Sequence, residues 1–371
     1  MPSVLFSPLK LRGLELQNRV VVAPMCQYSA EDGSATDWHL MHLGGFALSG
    51  VGLMIVEATG VEAAGRITPG CLGLYSDENE QALSRVLTFC RQHGSAKIGM
   101  QLAHAGRKAS AALPWGGGTS LDDDNGGWQT YGPSAVPFAD GWRVPKAMDR
   151  ADMDRIRDAF VEATRRSMRL GFDLIELHAA HGYLMHEFLS PISNRREDEY
   201  GGSLENRMRF PLEVFSAIRD VWPQDKPLGV RVSSTEWIDG GWTLENSIVF
   251  AGRLKELGCD FIDASGGGNS PDRPPVGTSG EGYQVEFAER IKKDADIATI
   301  AVGMIRDPHF AENIVASGQA DMVALARGLL YDPRWAWHAA EELGASAPYP
   351  KQYMRAHPDT WPKAFPNRNK D

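Results

Sequence analysis

Phe172-Asp173-Leu174-Ile175-Glu176-Leu177-His178-Ala179-Ala180-His181-Gly182-Tyr183 is the stretch from which the rest of the chain is best read. Residues 172–177 form an apolar run of strand length that ends in imidazoles. That pattern predicts a buried strand delivering polar groups at its carboxyl end. Both imidazoles are neutral donors and acceptors near pH 7. Tyr183, held beyond His181 by flexible Gly182, is a hydroxyl with a proton to give. Such a set can polarise a carbonyl and protonate a neighbouring carbon.

Outward from this run the same kind of segment recurs. Residues 19–26, 53–58 and 97–101 precede it, and 228–232, 261–264, 299–303 and 322–327 follow, so that eight strands are expected with 172–177 as the fourth. Helices are expected between them: over 38–49 and 78–93, where Met153, Ile156 and Phe160 keep helical spacing before Gly171, and where Leu244, Ile248, Ala251 and Leu254 do so between Thr243 and Gly258. Parallel strands need crossovers, and closing them leaves no edges, so the pattern predicts an α/β fold, a single (β/α)8 TIM barrel. A doubly wound open sheet would want Gly-x-Gly-x-x-Gly after its first strand, and that spacing occurs nowhere here.

Leu9-Lys10-Leu11 and Leu14-Glu15-Leu16 flank Arg12-Gly13 as an N-terminal hairpin, expected to plug rather than catalyse. Long loops are expected after strands three (107–150) and four (178–203), as lids or binding walls. The first carries Gly116-Gly117-Gly118 and Asp122-Asp123-Asp124. After Gly344 proline and aromatics accumulate without helical period, which divides the chain into a barrel over 1–343 and a C-terminal tail over 344–371.

Composition narrows the function classes. With 371 residues, 43% of them hydrophobic, the chain can bury a large core. A net charge of −10 with interspersed signs gives no basic stripe for nucleic acid. Cys26, Cys71, Cys90 and Cys259 form no Cys-x-x-Cys pair, so zinc ribbons, iron–sulfur ligation and a disulfide framework are not expected, and a reducing cytoplasm fits. Neither a leader nor a membrane-length apolar run is visible.

In a barrel, chemistry collects where strands end. The first strand offers Pro24, Met25, Cys26 and Tyr28, the second Ala58, the third Gln101, His104 and Lys108, and the fourth His178, His181 and Tyr183. Arg231, Gly303, Ala326 and Arg327 come from the fifth, seventh and eighth. Carboxylates are scarce in this set, and a fixed cation at Arg231 would repel a divalent ion, so no metal site is expected. Arg231 instead suits a group that gains negative charge, as the N1–C2 edge of a flavin does on reduction, and Gln101 offers an amide matched to its imide edge. Gly303 with Ala326-Arg327 occupies the usual barrel phosphate position.

These residues carry a family resemblance. Pro24-Met25-Cys26-Gln27-Tyr28, Gln101 to Lys108, His178 to Tyr183, and Ser190-Pro191-Ile192-Ser193-Asn194-Arg195 with Tyr200-Gly201-Gly202-Ser203 resemble the old yellow enzyme family, from the hairpin to about Trp337. Cys26 with Tyr28 resembles its bacterial thermophilic-like subgroup. The resemblance implies FMN, a nicotinamide donor (NADPH, with NADH left open) and reduction of activated C=C bonds in enones or nitro compounds. It implies that His178 and His181 bind the substrate oxygen, that Tyr183 gives the proton, and that Tyr28 and Lys108 line the substrate pocket. It also implies flavin contacts from Ala23, Pro24, Met25, the Ala58 backbone, Gln101 and Arg231, a phosphate clamp at Ala326-Arg327, and a redox-tuning thiol at Cys26. Gln352-Tyr353-Met354-Arg355 resembles a segment whose arginine reaches the neighbouring subunit's site, which implies a homodimer or higher assembly; here the chain runs on to Asp371.

Overall fold

Short runs of Val, Ile, Leu and Met that are buried on both faces must be covered on both sides, and a barrel wrapped in helices does that. In the computed structural model, which describes residues 2–272 and 280–365, the strands are β1 (Val20–Val22), β2 (Leu53–Gly60), β3 (Lys97–Ala103) and β4 (Leu174–Ala179). They continue as β5 (Leu228–Ser233), β6 (Phe261–Ser265), β7 (Ala298–Ala301) and β8 (Met322–Leu325). All neighbours are parallel, the order around the barrel is the order in the chain, and β8 pairs with β1 to close it.

The surrounding helices are α1 (Asp37–Ala47), α2 (Asp77–His93), α3 (Arg150–Arg169), α4 (Leu184–Leu189) and α5 (Leu204–Val221). They are followed by α6 (Leu244–Glu256), α7 (Val285–Ala295), α8 (Pro308–Ala316), α9 (Arg327–Tyr331) and α10 (Trp335–Glu342). Ser76, Asp149, Ser203, Thr243 and Asp307 start five of them with a side-chain oxygen that accepts from the third helical N–H, which satisfies a donor the helix cannot pair itself. None of the helices among the described residues is long and apolar enough to cross a membrane.

Two apolar cores result. One lies between strands and helices; the other fills the barrel, where Leu53, Leu174, Phe261 and Met322 meet Leu11, Leu14 and Leu16 of the hairpin. The hairpin strands Leu9–Leu11 and Leu14–Leu16 pair antiparallel, and Arg12 between them bonds Asp260 and the carbonyls of Gln224 and Gly258, which lie where β5 and β6 begin. It therefore stoppers the floor of the barrel, and the mouth lies at the carboxyl ends of the strands.

Several boundaries differ from the sequence reading. β4 runs two residues later than expected, which places His178 inside the strand rather than on the loop after it. β1 is only three residues long, because Pro24 has no N–H to give a neighbour, so Pro24, Met25 and Cys26 lie beyond its end. β7 and β8 stop at Ala301 and Leu325, so Gly303 and Arg327 also stand past the strands. The 107–150 insertion is irregular as expected, whereas 178–203 contains α4, whose six residues are all buried and so show no amphipathic period. Tail residues 366–371 lie outside the described residues; the rest is fastened where Tyr349 stacks on Trp337 with ring centroids 4.0 Å apart.

Candidate active site

Alternate residues of a barrel strand face inward. From the apolar inward positions Leu174 and Phe261 the period carries inward Glu176 and His178 on β4 and Asp263 and Ser265 on β6. Register sets His178 opposite Arg231, Arg231 opposite Asp263, and Gln101 opposite Glu176. The residues that finish the strands are poor in carboxylates, as expected, but Glu57, Glu176 and Asp263 lie buried within the strands themselves. They were hidden inside runs that read as apolar, and the signal was an acid at an inward position of a strand.

Gln101 Nε2 donates to Glu176 Oε1 at 2.7 Å, so part of its amide is committed to the protein. Burial raises the Glu176 carboxyl to about 8, helped by the neighbouring Asp263 and opposed by Arg231. Burial also raises Asp263, against the pull of Arg231. Arg231 Nε lies 3.2 Å from Asp263 Oδ2 without the alignment of a hydrogen bond, so both groups keep unsatisfied polar atoms.

Above this charged layer sit the imidazoles and the phenol. The His178 ring stands edge-on to His181 with centroids 5.2 Å apart, and edge-on to Tyr183 at 5.0 Å. His178 Nδ1 accepts from the Ala180 N–H at 3.2 Å, which assigns its proton to Nε2, and Nε2 lies 3.4 Å from His181 Nδ1. His181 Nε2 then donates to Ser265 Oγ at 2.8 Å. Burial and the nearby Arg231 hold both imidazoles well below their ordinary range, so both are neutral donors near pH 7. His181 already has a protein partner, whereas His178 makes only the longer contact and is the donor more readily turned to a ligand. The Tyr183 hydroxyl makes no hydrogen bond to another described residue, and burial pushes it well above the usual phenol range.

The loop that presents them is tightly constrained. His181 sits at φ +60°, and a Cβ on Gly182 would lie 2.3 Å from the Gly268 carbonyl, so only glycine allows the approach. Lys108 Nζ donates to the carbonyls of His181 and Gly268, both at 2.8 Å, and burial lowers it to about 8. Lys108 thus fastens two loops together, with its ammonium 5.1 Å from the centre of the Tyr183 ring.

On the β1 side, Ala23 is buried and Gln27 N donates to Glu57 Oε2 at 3.1 Å, while His39 Nε2 lies 3.4 Å from Glu57 Oε1. Contact with the Ala58 backbone pulls the Cys26 thiol down, against burial and Cys71, which raise it. Tyr28, at φ +53°, packs edge-on to Trp115 at 6.0 Å. This Glu57–His39–Gln27 bracing escaped the sequence reading because its members come from three separate elements.

Past the ends of β7 and β8 lies a cavity of about 390 Å³ lined by Arg231, Ser265, Gln284, Gly303, Ala326 and Arg327, among others. Gly303 is at φ +129°, and a Cβ there would press to 3.2 Å on Gln284. Gln284 Oε1 and Arg231 Nε, both in this cavity, are buried without a hydrogen-bond partner. Two exposed guanidiniums, Arg306 and Arg327, complete its rim. The donor set suits an elongated, hydrogen-bonding ligand with an anionic end. Gln284 and Arg306 had no sequence signal, since neither ends a strand. Arg355 is not part of the mouth: it is exposed in the 351–356 turn, whose first residues line a groove with His93, Gly94 and Ser95 at the floor end of the barrel.

Comparison with known proteins agrees with this architecture. The family described as NADH:flavin oxidoreductase / NADH oxidase matches residues 4–345. An NADPH dehydrogenase of Geobacillus sp. (strain WCH70) is 46% identical over 357 residues, covering 96% of this chain and 99% of that protein. An NADPH dehydrogenase of Bacillus subtilis (strain 168) is 43% identical over 357 residues, with 96% and 99% covered. The structure of morphinone reductase in complex with tetrahydroNAD superposes with a TM-score of 0.75 at 28% identity, over 97% of this chain and 94% of that one.

Proposed function

The chain belongs to the NADH:flavin oxidoreductase / NADH oxidase family, and from that premise we propose that its mouth reduces activated carbon–carbon double bonds of α,β-unsaturated carbonyl or nitro compounds. It is an FMN-dependent oxidoreductase of the old yellow enzyme type with NADPH as electron donor. The residues present fit FMN: Arg231 and Gln284 line the cavity, Gln284 Oε1 is buried without a hydrogen-bond partner, Gly303 leaves room for close approach, and Ala326 and Arg327 stand where a phosphate would be held. Bound there, FMN supplies the hydride.

The chain's own groups do the rest. His178 Nε2–H donates to the substrate oxygen, with His181 behind it fixed by Ser265, so negative charge that develops on that oxygen meets a neutral donor held in place by a second imidazole. Neutrality matters, because two buried imidazolium ions beside Arg231 would repel each other. Tyr183 gives its Oη proton to the α-carbon. The observation that carries this reading is the Tyr183 hydroxyl, half-buried at the mouth and without a hydrogen-bond partner among the described residues, beside His178 with ring centroids 5.0 Å apart. The test is Tyr183→Phe: rapid mixing of the reduced enzyme with cyclohexenone should show slowed reoxidation while the yellow colour is retained. An unchanged rate would assign the proton to water or another group.

We further infer that the protein works in the cytoplasm as a homodimer or larger assembly, with residues 344–371 as its intersubunit element. In support, the 351–356 turn is exposed and lies far from its own mouth, which leaves Arg355 free to meet another subunit. Sedimentation showing a fully active monomer would remove this part.

A further inference from the structure

The fold brings together two cysteines that lie 45 residues apart in the chain and that the reduction chemistry leaves unpaired with each other (71 − 26 = 45). Cys26 follows β1 at the mouth and is partly exposed; Cys71, in the loop after β2, is only 1% exposed. Their segments are held against each other independently of the thiols. Ala30 N donates to Gly70 O at 2.9 Å, and a Cβ on Gly70 would lie 2.5 Å from the Tyr28 carbonyl oxygen. The Cys71 sulfur is itself a built acceptor, with Thr68 N at 3.4 Å and Thr68 Oγ1 at 3.3 Å. The Cys26 and Cys71 thiols lie close enough for each to shift the acidity of the other.

We propose that Cys26 and Cys71 are a two-cysteine oxidation site that closes to a disulfide when a hydroperoxide reaches the barrel mouth. The asymmetry of the pair divides the labour. Contact with Cys26 and the Thr68 donors lower the Cys71 thiol, whereas Cys71 and burial raise that of Cys26. Cys26, the accessible sulfur, attacks the terminal peroxide oxygen and passes its proton to the departing hydroxide. The O–O bond breaks, Cys26 becomes a sulfenic acid and water leaves. Cys71 then attacks the Cys26 sulfur, the S–S bond forms and the S–O bond breaks, releasing the second water. Overall two thiols and hydrogen peroxide give one disulfide and two waters; the thiols lose two electrons and the peroxide gains them.

The experiment uses the full flavin-containing protein, fully reduced and then treated with stoichiometric hydrogen peroxide. It is quenched by alkylation with N-ethylmaleimide under denaturing conditions and digested without reductant for mass spectrometry. The expected result is a linked peptide pair containing Cys26 and Cys71, with two of the four free thiols lost and both returned by dithiothreitol. In Cys71→Ser and Cys71→Ala the link is absent, and Cys26 accumulates as sulfinic acid about tenfold above wild type, because no second thiol resolves the sulfenic acid. The proposal is overturned if the wild-type Cys26 and Cys71 peptides remain unlinked, whether both are still alkylated or Cys26 is over-oxidised. The wild-type sample alone decides this, so a variant that folds poorly does not obscure the answer.

Discussion

The two halves of the barrel mouth are built on opposite principles. On the β4 side the imidazoles and the ammonium are engaged, and the Tyr183 hydroxyl alone of the catalytic set stands without a partner among the described residues: His178 touches His181, His181 reaches Ser265, and Lys108 clamps two carbonyls. On the β7 and β8 side the polar atoms are left over, with Gln284 Oε1 unpaired and two exposed guanidiniums at the rim. Groups that must hold one orientation through a reaction are fixed beforehand by the protein; groups that must grip a ligand are left unsatisfied until it arrives. Arg231 belongs to both halves, lining the cavity while facing His178 across the sheet and Asp263 on its other side.

Breaking that shared point should have the largest effect. Arg231→Met is expected to leave buried Asp263 without a cation, at a cost of about 3–5 kcal/mol in stability, and to release the flavin. Thermal unfolding and the flavin-to-protein absorbance ratio check both; a yellow variant melting with wild type would separate the two halves after all. Tyr183→Phe confines damage to the β4 side, with substrate-driven reoxidation falling about 10²- to 10⁴-fold and cofactor content unchanged. The mirror image is Arg327→Ala, expected to weaken FMN retention on the order of tenfold, the loss of one charged hydrogen bond, while enzyme saturated with FMN turns over normally. Equilibrium dialysis measures it, and impaired turnover at saturation would blur the division.

A gentler probe is pH. Glu176 is raised to about 8 in the folded protein from roughly 4.3 when unfolded, so the folded state holds the extra proton between those values. Its contribution to stability is full below about pH 4.3 and is lost as pH rises through about 8. Glu176→Gln should therefore flatten the decline in denaturation free energy from pH 5 to 8.5. Glu187, also raised to about 8 by burial, keeps part of the slope. Equal slopes in variant and wild type would mean that Glu176 titrates normally. Smallest of all, Cys26→Ala should shift the flavin midpoint potential in a spectroelectrochemical titration and leave turnover in place.

Strand count and closure were legible in the sequence because a fully buried parallel strand is a near-continuous apolar run whatever it packs against. His178, His181, Tyr183, Arg231 and Arg327 were legible because each stands at or just beyond such a run. What stayed hidden depends on register and on loops meeting in space. That Gln101 faces Glu176, and Arg231 faces Asp263, follows from inter-strand alignment and from nothing local. That Lys108 ties the loop carrying Gly268 to His181 likewise follows from two loops meeting in space. Cys26 and Cys71 looked scattered because sequence distance says nothing about which turn folds over which.

The hairpin below the barrel has a consequence for acidity above it. Leu11, Leu14 and Leu16 and the apolar layer they rest on act as insulation, keeping bulk water, and its high dielectric constant, away from Glu176 and Asp263. Fraying those first sixteen residues would hydrate the two acids from underneath and return them toward ordinary carboxylic strength, so a segment at the far end of the molecule helps govern the charge balance around Arg231.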